Sequence, residues 1–201
     1  MLSWRATLVL MAGIVPAVHA QAVCADTAVR ISAAVKTDWN GWSPSSTNDR
    51  FQSTAGLTVD QVQKLRLKWA FGFAGDTIVF AQPSVIGNNL FVGSASGKVH
   101  AMDARTGCTH WTFQAESAVR PAIAVVPAGT AHALLFGDRG GTFYSLEAET
   151  GRVLWKKKVD DHAGARVTGS AVVHEGVIYV PVASGEETLA RRDGYACCTF
   201  R

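Results

Sequence analysis

Few side chains in this sequence are of a type and spacing that could do chemistry. Cys197 and Cys198 are neighbouring thiols, three residues before Arg201, and Cys24 and Cys108 complete the four cysteines. Adjacent thiols can bind a metal, exchange electrons or enter disulfides, and the compartment decides which. Ser184-Gly185-Glu186-Glu187 is a polar stretch that ordinary turn chemistry would also explain. Gly137-Asp138-Arg139-Gly140-Gly141-Thr142 is glycine-rich, but it joins two strand-like runs. A phosphate loop must open a helix, so this one reads as a hairpin. Asp103, Asp160 and Asp161 fall in turns, the six histidines show no metal-ligand spacing and read as surface or groove residues, and Cys-x-x-Cys-His does not occur. The chain therefore carries no haem c site of its own. No residue qualifies as catalytic from its sequence context.

The first residues suggest where those thiols operate. Arg5 precedes an apolar stretch from Ala6 to Val18, and Val18-His19-Ala20 is a small-x-small cleavage site. Residues 1–20 are expected to be an export signal, with a mature chain from Gln21, in the periplasm or secreted. The apolar stretch is short of the roughly 20 residues that span a bilayer, so no membrane span is expected after cleavage. In an oxidising compartment all four cysteines can pair. Two arrangements are open: Cys197 with Cys198, or each with one of the distant pair. Nineteen basic against sixteen acidic residues leave a net charge of +3. With Lys156-Lys157-Lys158 as the only charge run, this reads as a solvated face and not a nucleic-acid surface.

These residues are embedded in a repeat. Gly93, Gly97, Ala104, Thr106, Gly107 and Trp111 recur as Gly137, Gly141, Ala148, Thr150, Gly151 and Trp155, always 44 residues on. A second step of 44 places Ala95-Ser96-Gly97 on Ala183-Ser184-Gly185. Within a unit, Pro83–Ile86, Asn89–Val92, Lys98–Met102 and Thr109–Phe113 are short alternating runs separated by glycine turns. Four antiparallel strands per unit of this length predict an all-β propeller blade. A tryptophan on the last strand can pack on the next blade. Trp69 lies 42 residues before Trp111, so Leu67–Phe71 reads as the outer strand of a preceding blade. Propellers have roughly 4–8 blades, and residues 21–201 hold about two and a half. The rest is expected beyond Arg201, in a truncated product or an incomplete sequence.

Three stretches carry a family resemblance. Trp42-Ser43-Pro44-Ser45-Ser46-Thr47-Asn48-Asp49-Arg50-Phe51, followed by Ala55–Thr58 and Val62–Trp69, resembles the entry segment of the quinoprotein alcohol dehydrogenases. These enzymes depend on pyrroloquinoline quinone (PQQ). Ala104–Trp111 and Ala148–Trp155 share the pattern Ala-x-x-Thr-Gly-x-x-x-Trp, which resembles that family's tryptophan-docking motif. The pattern is closest to the polyvinyl alcohol dehydrogenase branch, and it covers essentially the whole mature chain. The resemblance implies a partial β-propeller of the eight-bladed quinoprotein type, with four-stranded antiparallel blades. It also implies oxidation of an alcohol by hydride transfer to PQQ, assisted by Ca2+, with an external cytochrome c taking the electrons.

The same resemblance assigns the chemical residues. Cys197 and Cys198 would form a vicinal disulfide against the quinone ring. Adjacent Cα atoms sit about 3.8 Å apart while unstrained disulfides prefer about 5.5–6 Å, so the bond closes a strained, rigid surface of the kind found where a cofactor is held. Thr168 and Ser184 would offer hydroxyls to PQQ, Arg201 would bind one of its carboxylates, and Glu187 would hold the Ca2+. In methanol dehydrogenase the cysteine pair precedes the threonine and glutamate, whereas here it follows them. The catalytic base of the family comes from a later blade. Two rival readings are a non-enzymatic propeller scaffold of the envelope and an inactive truncated relic.

Overall fold

Short apolar runs punctuated by glycine fold here into antiparallel sheets. The computed structural model describes residues 22–32, 38–45, 47, 49–54 and 56–184, together with the backbone of 198–200. The export signal over 1–20, Glu187, Cys197 and Arg201 lie outside the described residues. A short helix, α1 (Val59–Val62), begins at Thr58, whose hydroxyl accepts from the Gln61 amide while the Gln61 side chain accepts from the Thr58 amide.

The first sheet has the order β1 (Ser84–Ile86), β2 (Asn89–Gly93), β3 (Lys98–Asp103), β4 (Thr109–Gln114). The second repeats it with β5 (Ala124–Ala128), β6 (Ala131–Gly137), β7 (Thr142–Glu147) and β8 (Val153–Lys158). A third has β9 (Val172–His174), β10 (Val177–Val180) and β11 (Cys198–Phe200) side by side. All pairings in these sheets are antiparallel. The described residues thus form two four-stranded blades of a β-propeller and three strands of another. The third blade departs from the repeat. Residues 94–97 and 138–141 make tight turns between the second and third strands, whereas 181–197 separate β10 from β11. At the expected turn Ala183 instead pairs with Arg166 in an isolated bridge, and residues 185–197 lie outside the described residues.

Aromatic residues fill the space between blades. Phe136 is fully buried, which contributes about 2–3 kcal/mol over an exposed ring. It stacks on Tyr144 at 5.2 Å, and Phe113 meets Tyr144 edge-on at 5.7 Å. Trp111 on β4 lies over Gly151 of the next blade, and its indole nitrogen donates to the Ala148 carbonyl at 3.2 Å. Trp69 does the same over Gly107, donating to Ala104 at 3.1 Å. Leu67–Phe71 does not form the expected outer strand, because among the described residues no strand lies alongside for its backbone to pair with. Its rings nevertheless take the positions an outer strand would give them.

The histidines are not all on the surface. His100 is 4 % exposed, lies edge-on to Phe71 and Phe73 at 5.1 and 5.4 Å, and its Nδ1 has no hydrogen-bond partner. It occupies in the first blade the position of Tyr144 in the second. Burial pushes its pKa below the ordinary value, with Lys98 adding to the effect. A disulfide joins Cys24 to Cys108 across a sequence separation of 84. Closing a loop of that length stabilises the fold by about 4 kcal/mol.

Two outcomes test this packing. Gly151 has φ +75°, and a Cβ there would stand 2.7 Å from the Trp111 ring. Gly151→Ala should cost about 2–4 kcal/mol in denaturant unfolding. Gly129→Ala, at φ +66° with no atom within 4 Å, should cost about 1 kcal/mol. For His100 the unfolded chain takes up the proton near pH 6.5 and the folded chain only at lower pH. Its contribution is complete above that pH and is lost as the solution is acidified below it. His100→Phe should flatten the acid side of a plot of Tm against pH, and an unchanged slope would contradict this account.

Candidate functional site

The exposed edge of a first strand is a row of unpaired backbone groups, and here a strap of chain satisfies it. Trp39 exchanges two backbone hydrogen bonds with Val85 of β1, at 2.7 and 2.8 Å. One residue on, the Asn40 side chain does the same for β5. Its amide nitrogen donates to the Val125 carbonyl at 2.7 Å and its oxygen accepts from the Val125 amide at 2.8 Å. A primary amide offers a donor and an acceptor side by side, so asparagine can stand in for one backbone unit. Gln82 fixes the next turn by donating to the Gly41 and Trp42 carbonyls, each at 3.0 Å. The strap then continues as Trp42-Ser43-Pro44-Ser45.

The connections between blades form the opposite wall. Residues 115–123 join β4 to β5, and 159–171 join β8 to β9. Val119 fills the space left by Gly93, and Val167 fills that left by Gly137. The Val119 amide donates to Ser94 O at 3.0 Å and the Val167 amide to Asp138 O at 3.0 Å. The two valines are structural counterparts, so Arg120 and Thr168, the residues after them, are counterparts too. The Ser170 hydroxyl also accepts from the Ala122 amide at 3.0 Å, which ties the two connections together.

Strap and connections enclose a groove of about 710 Å3. Trp42, Phe80, Arg120, Thr168 and Ser170 line it. The Arg120 guanidinium lies 5.1 Å from the centre of the Phe80 ring, a cation–π contact. Among the described residues no carboxylate forms an ion pair with Arg120. On its far side Arg120 borders a smaller hollow of about 370 Å3 that also contains Asp76, Ser96 and Arg139. A guanidinium without an ion-pair partner among the described residues, together with hydroxyls and aromatic faces around one groove, suits a flat, anionic, aromatic ligand.

The sequence-derived residues fall in different places. Thr168 lines this groove. Ser184 lies just beyond β10, with its carbonyl close against Gly164 and away from the groove wall. Of Cys198 only the backbone is described, opposite Val180 at the start of β11. Glu187, Cys197 and Arg201 lie outside the described residues. Among those described, no three His, Cys, Asp or Glu side chains gather as a metal site. Arg120 was missed as a site residue. The repeat offset of 44 relates Gly93 to Gly137, but Val119 and Val167 stand 48 apart, so the sequence periodicity hides the match of Arg120 with Thr168. Val119-Arg120-Pro121 and Val167-Thr168-Gly169 share only the valine, so the sequence carries no signal for the match.

Comparison with known proteins agrees with this architecture. Residues 31–195 match the family model described as outer membrane protein assembly factor BamB. A polyvinylalcohol dehydrogenase of a Pseudomonas species is 44% identical over 167 residues, 81% of this chain and 26% of that protein. One from Sphingopyxis sp. (strain 113P3) is 44% identical over 182 residues, covering 89% and 28%. The crystal structure of the quinohemoprotein alcohol dehydrogenase from Comamonas testosteroni superposes with a TM-score of 0.65 at 22% identity, over 76% of this chain and 24% of that one. This last likeness concerns the fold. The chain spans about a quarter of the length of these relatives. With blades, family model and relatives in agreement, the chain belongs to the PQQ-type β-propeller family, on the side of its quinoprotein alcohol dehydrogenases.

Proposed function

We propose that this chain forms the cofactor-groove portion of an exported quinoprotein alcohol dehydrogenase of the polyvinyl alcohol dehydrogenase type. The observation that carries the reading is the convergence of Arg120 and Thr168 on one groove between two aromatic side chains. The residues present fit PQQ, a flat quinone that carries carboxylates. Arg120 would hold one carboxylate through its fork of donors, Thr168 and Ser170 would supply hydroxyls, and Trp42 and Phe80 offer faces for the ring. When bound, PQQ supplies the electron-accepting chemistry that takes a hydride from the alcohol carbon. The residues of this chain orient it and keep water from its faces.

The Cys24–Cys108 bond supports a vicinal Cys197–Cys198 disulfide. It takes up both distant partners and leaves those two thiols to each other among the four cysteines. A metal is a different case: the described residues supply no ligand set, and Glu187 remains the candidate ligand for Ca2+. A disulfide of this kind persists in an oxidising compartment, in keeping with the periplasm or secretion. Among the described residues no helix is long and apolar enough to cross a membrane. Alcohol is the proposed substrate of the whole enzyme, and a cytochrome c the proposed acceptor. The envelope scaffold is the weaker reading, since two relatives at 44% identity are dehydrogenases.

The test is a titration of PQQ into the purified chain, read by quenching of tryptophan fluorescence, since Trp42 lies in the groove. Saturable quenching is expected, and Arg120→Ala should weaken it about tenfold, the worth of one charge-assisted hydrogen bond. A folded chain that gives no saturable quenching would rule the reading out. Separately, non-reducing tryptic digestion should release Asp193–Arg201 lighter by two hydrogens than its reduced form. Free thiols in that peptide would refute the vicinal bond.

A further inference from the structure

Behind the groove wall lies a carboxylate that the proposed cofactor would not touch. Asp138 is fully buried, and among the described residues no cation pairs with it. Four donors satisfy it instead. Oδ1 accepts from the Gly140 and Thr142 amides at 2.9 and 3.0 Å, and Oδ2 from the Ser117 amide at 3.1 Å and the Tyr144 hydroxyl at 2.9 Å. Burial pushes the Tyr144 pKa well up, and its bond to Asp138 adds to this, so the phenol remains the donor. The backbone joins in: the Val167 amide donates to Asp138 O, and the Arg139 amide donates to Ala118 O at 2.9 Å.

The first blade shows what the turn alone requires. Ser94 stands where Asp138 stands, and its hydroxyl accepts from the Lys98 amide at 3.2 Å, as Asp138 does from Thr142. The other side-chain contact of Ser94 is Ser96, within the same turn. A serine therefore closes this turn without placing a charge in the interior, which is unfavourable unless fully hydrogen-bonded. The second carboxylate oxygen reaches further, to the connection that carries Arg120, while the carbonyl of the same residue holds the residue before Thr168.

We propose that Asp138 is a positioning residue, a buried latch that holds Arg120 and Thr168 at a fixed separation across the groove. The inference rests on the reading of that groove as a cofactor site. One residue grips both connections and, with the Ser170–Ala122 hydrogen bond, ties the two polar groups of the groove to one another. A bidentate guanidinium contact depends on placement to a fraction of an ångström, and the latch supplies that placement from behind.

The experiment is Asp138→Ser, which installs the first blade's own solution in the second. Two readouts are taken on the full chain: amide hydrogen exchange by mass spectrometry, and PQQ titration. Exchange at 117–120, which the carboxylate holds through the Ser117 amide, should rise about tenfold, while Val167, held by the unchanged backbone carbonyl, and the remaining strands keep their protection. The dissociation constant for PQQ should also rise about tenfold, and Asp138→Ser combined with Arg120→Ala should bind no more weakly than Arg120→Ala alone. Unchanged local exchange in Asp138→Ser, or losses that simply add, would overturn the latch. Should Asp138→Ser fail to fold, Tyr144→Phe removes one donor from Oδ2 and should give the same pattern at smaller amplitude; without it the latch is refuted. A wild-type chain that binds no PQQ, together with loosened exchange in Asp138→Ser, would remove the cofactor and keep the latch. Equal PQQ affinity in wild type and Asp138→Ser would do the reverse.

Discussion

The contact between an indole and a glycine turn of the following blade is the constraint on which the rest of the structure depends. Gly107 and Gly151 sit at φ +77° and +75°, where the absence of a Cβ matters twice. It permits the left-handed backbone, and it lets Trp69 and Trp111 lie against the turn. The indole nitrogen then donates to the alanine carbonyl just upstream. That bond satisfies a polar group that would otherwise be buried without a partner, and it fixes where one blade stands on the next. Phe91, Phe113, Phe136 and Tyr144 fill the space so defined. Blade spacing in turn decides where the connections at the ends of the strands meet.

A fan of sheets also leaves its first strands with open edges. Trp39 and Asn40 close those of β1 and β5, one with backbone and the other with a side-chain amide. The same strap supplies Trp42 to the groove. Edge protection and the building of a groove wall are therefore one structural act. The Cys24–Cys108 bond holds the preceding part of the chain to β4, at the far edge of the first sheet.

The groove forms where the repeat breaks. Blades at a regular offset give equivalent turns, and Ser94 is sufficient at the first. At the second, Asp138 replaces it, and the connection ahead of β9 gains residues relative to that ahead of β5. Arg120 and Thr168 then face one cavity although the sequence spacing does not align them. At the third blade, residues 181–197 lie between β10 and β11 in the sequence, and this is the stretch that carries Glu187 and Cys197. Departures from the repeat thus coincide with the residues on which chemistry is proposed.

By itself the sequence determined the architecture: antiparallel blades, their third and fourth strands at a fixed offset, and the tryptophans on β4 and β8. These features are local, since glycine turns and alternating runs act through neighbours in the chain. It also singled out Thr168, through resemblance. The pairing of Cys24 with Cys108, the burial of His100 among Phe71 and Phe73, and the placement of Arg120 on the groove were decided only by tertiary structure. Each depends on groups brought together from distant parts of the chain, and periodicity carries no information about which connections converge. An arginine in an exposed loop becomes a candidate ligand only once the opposite wall of its groove is known.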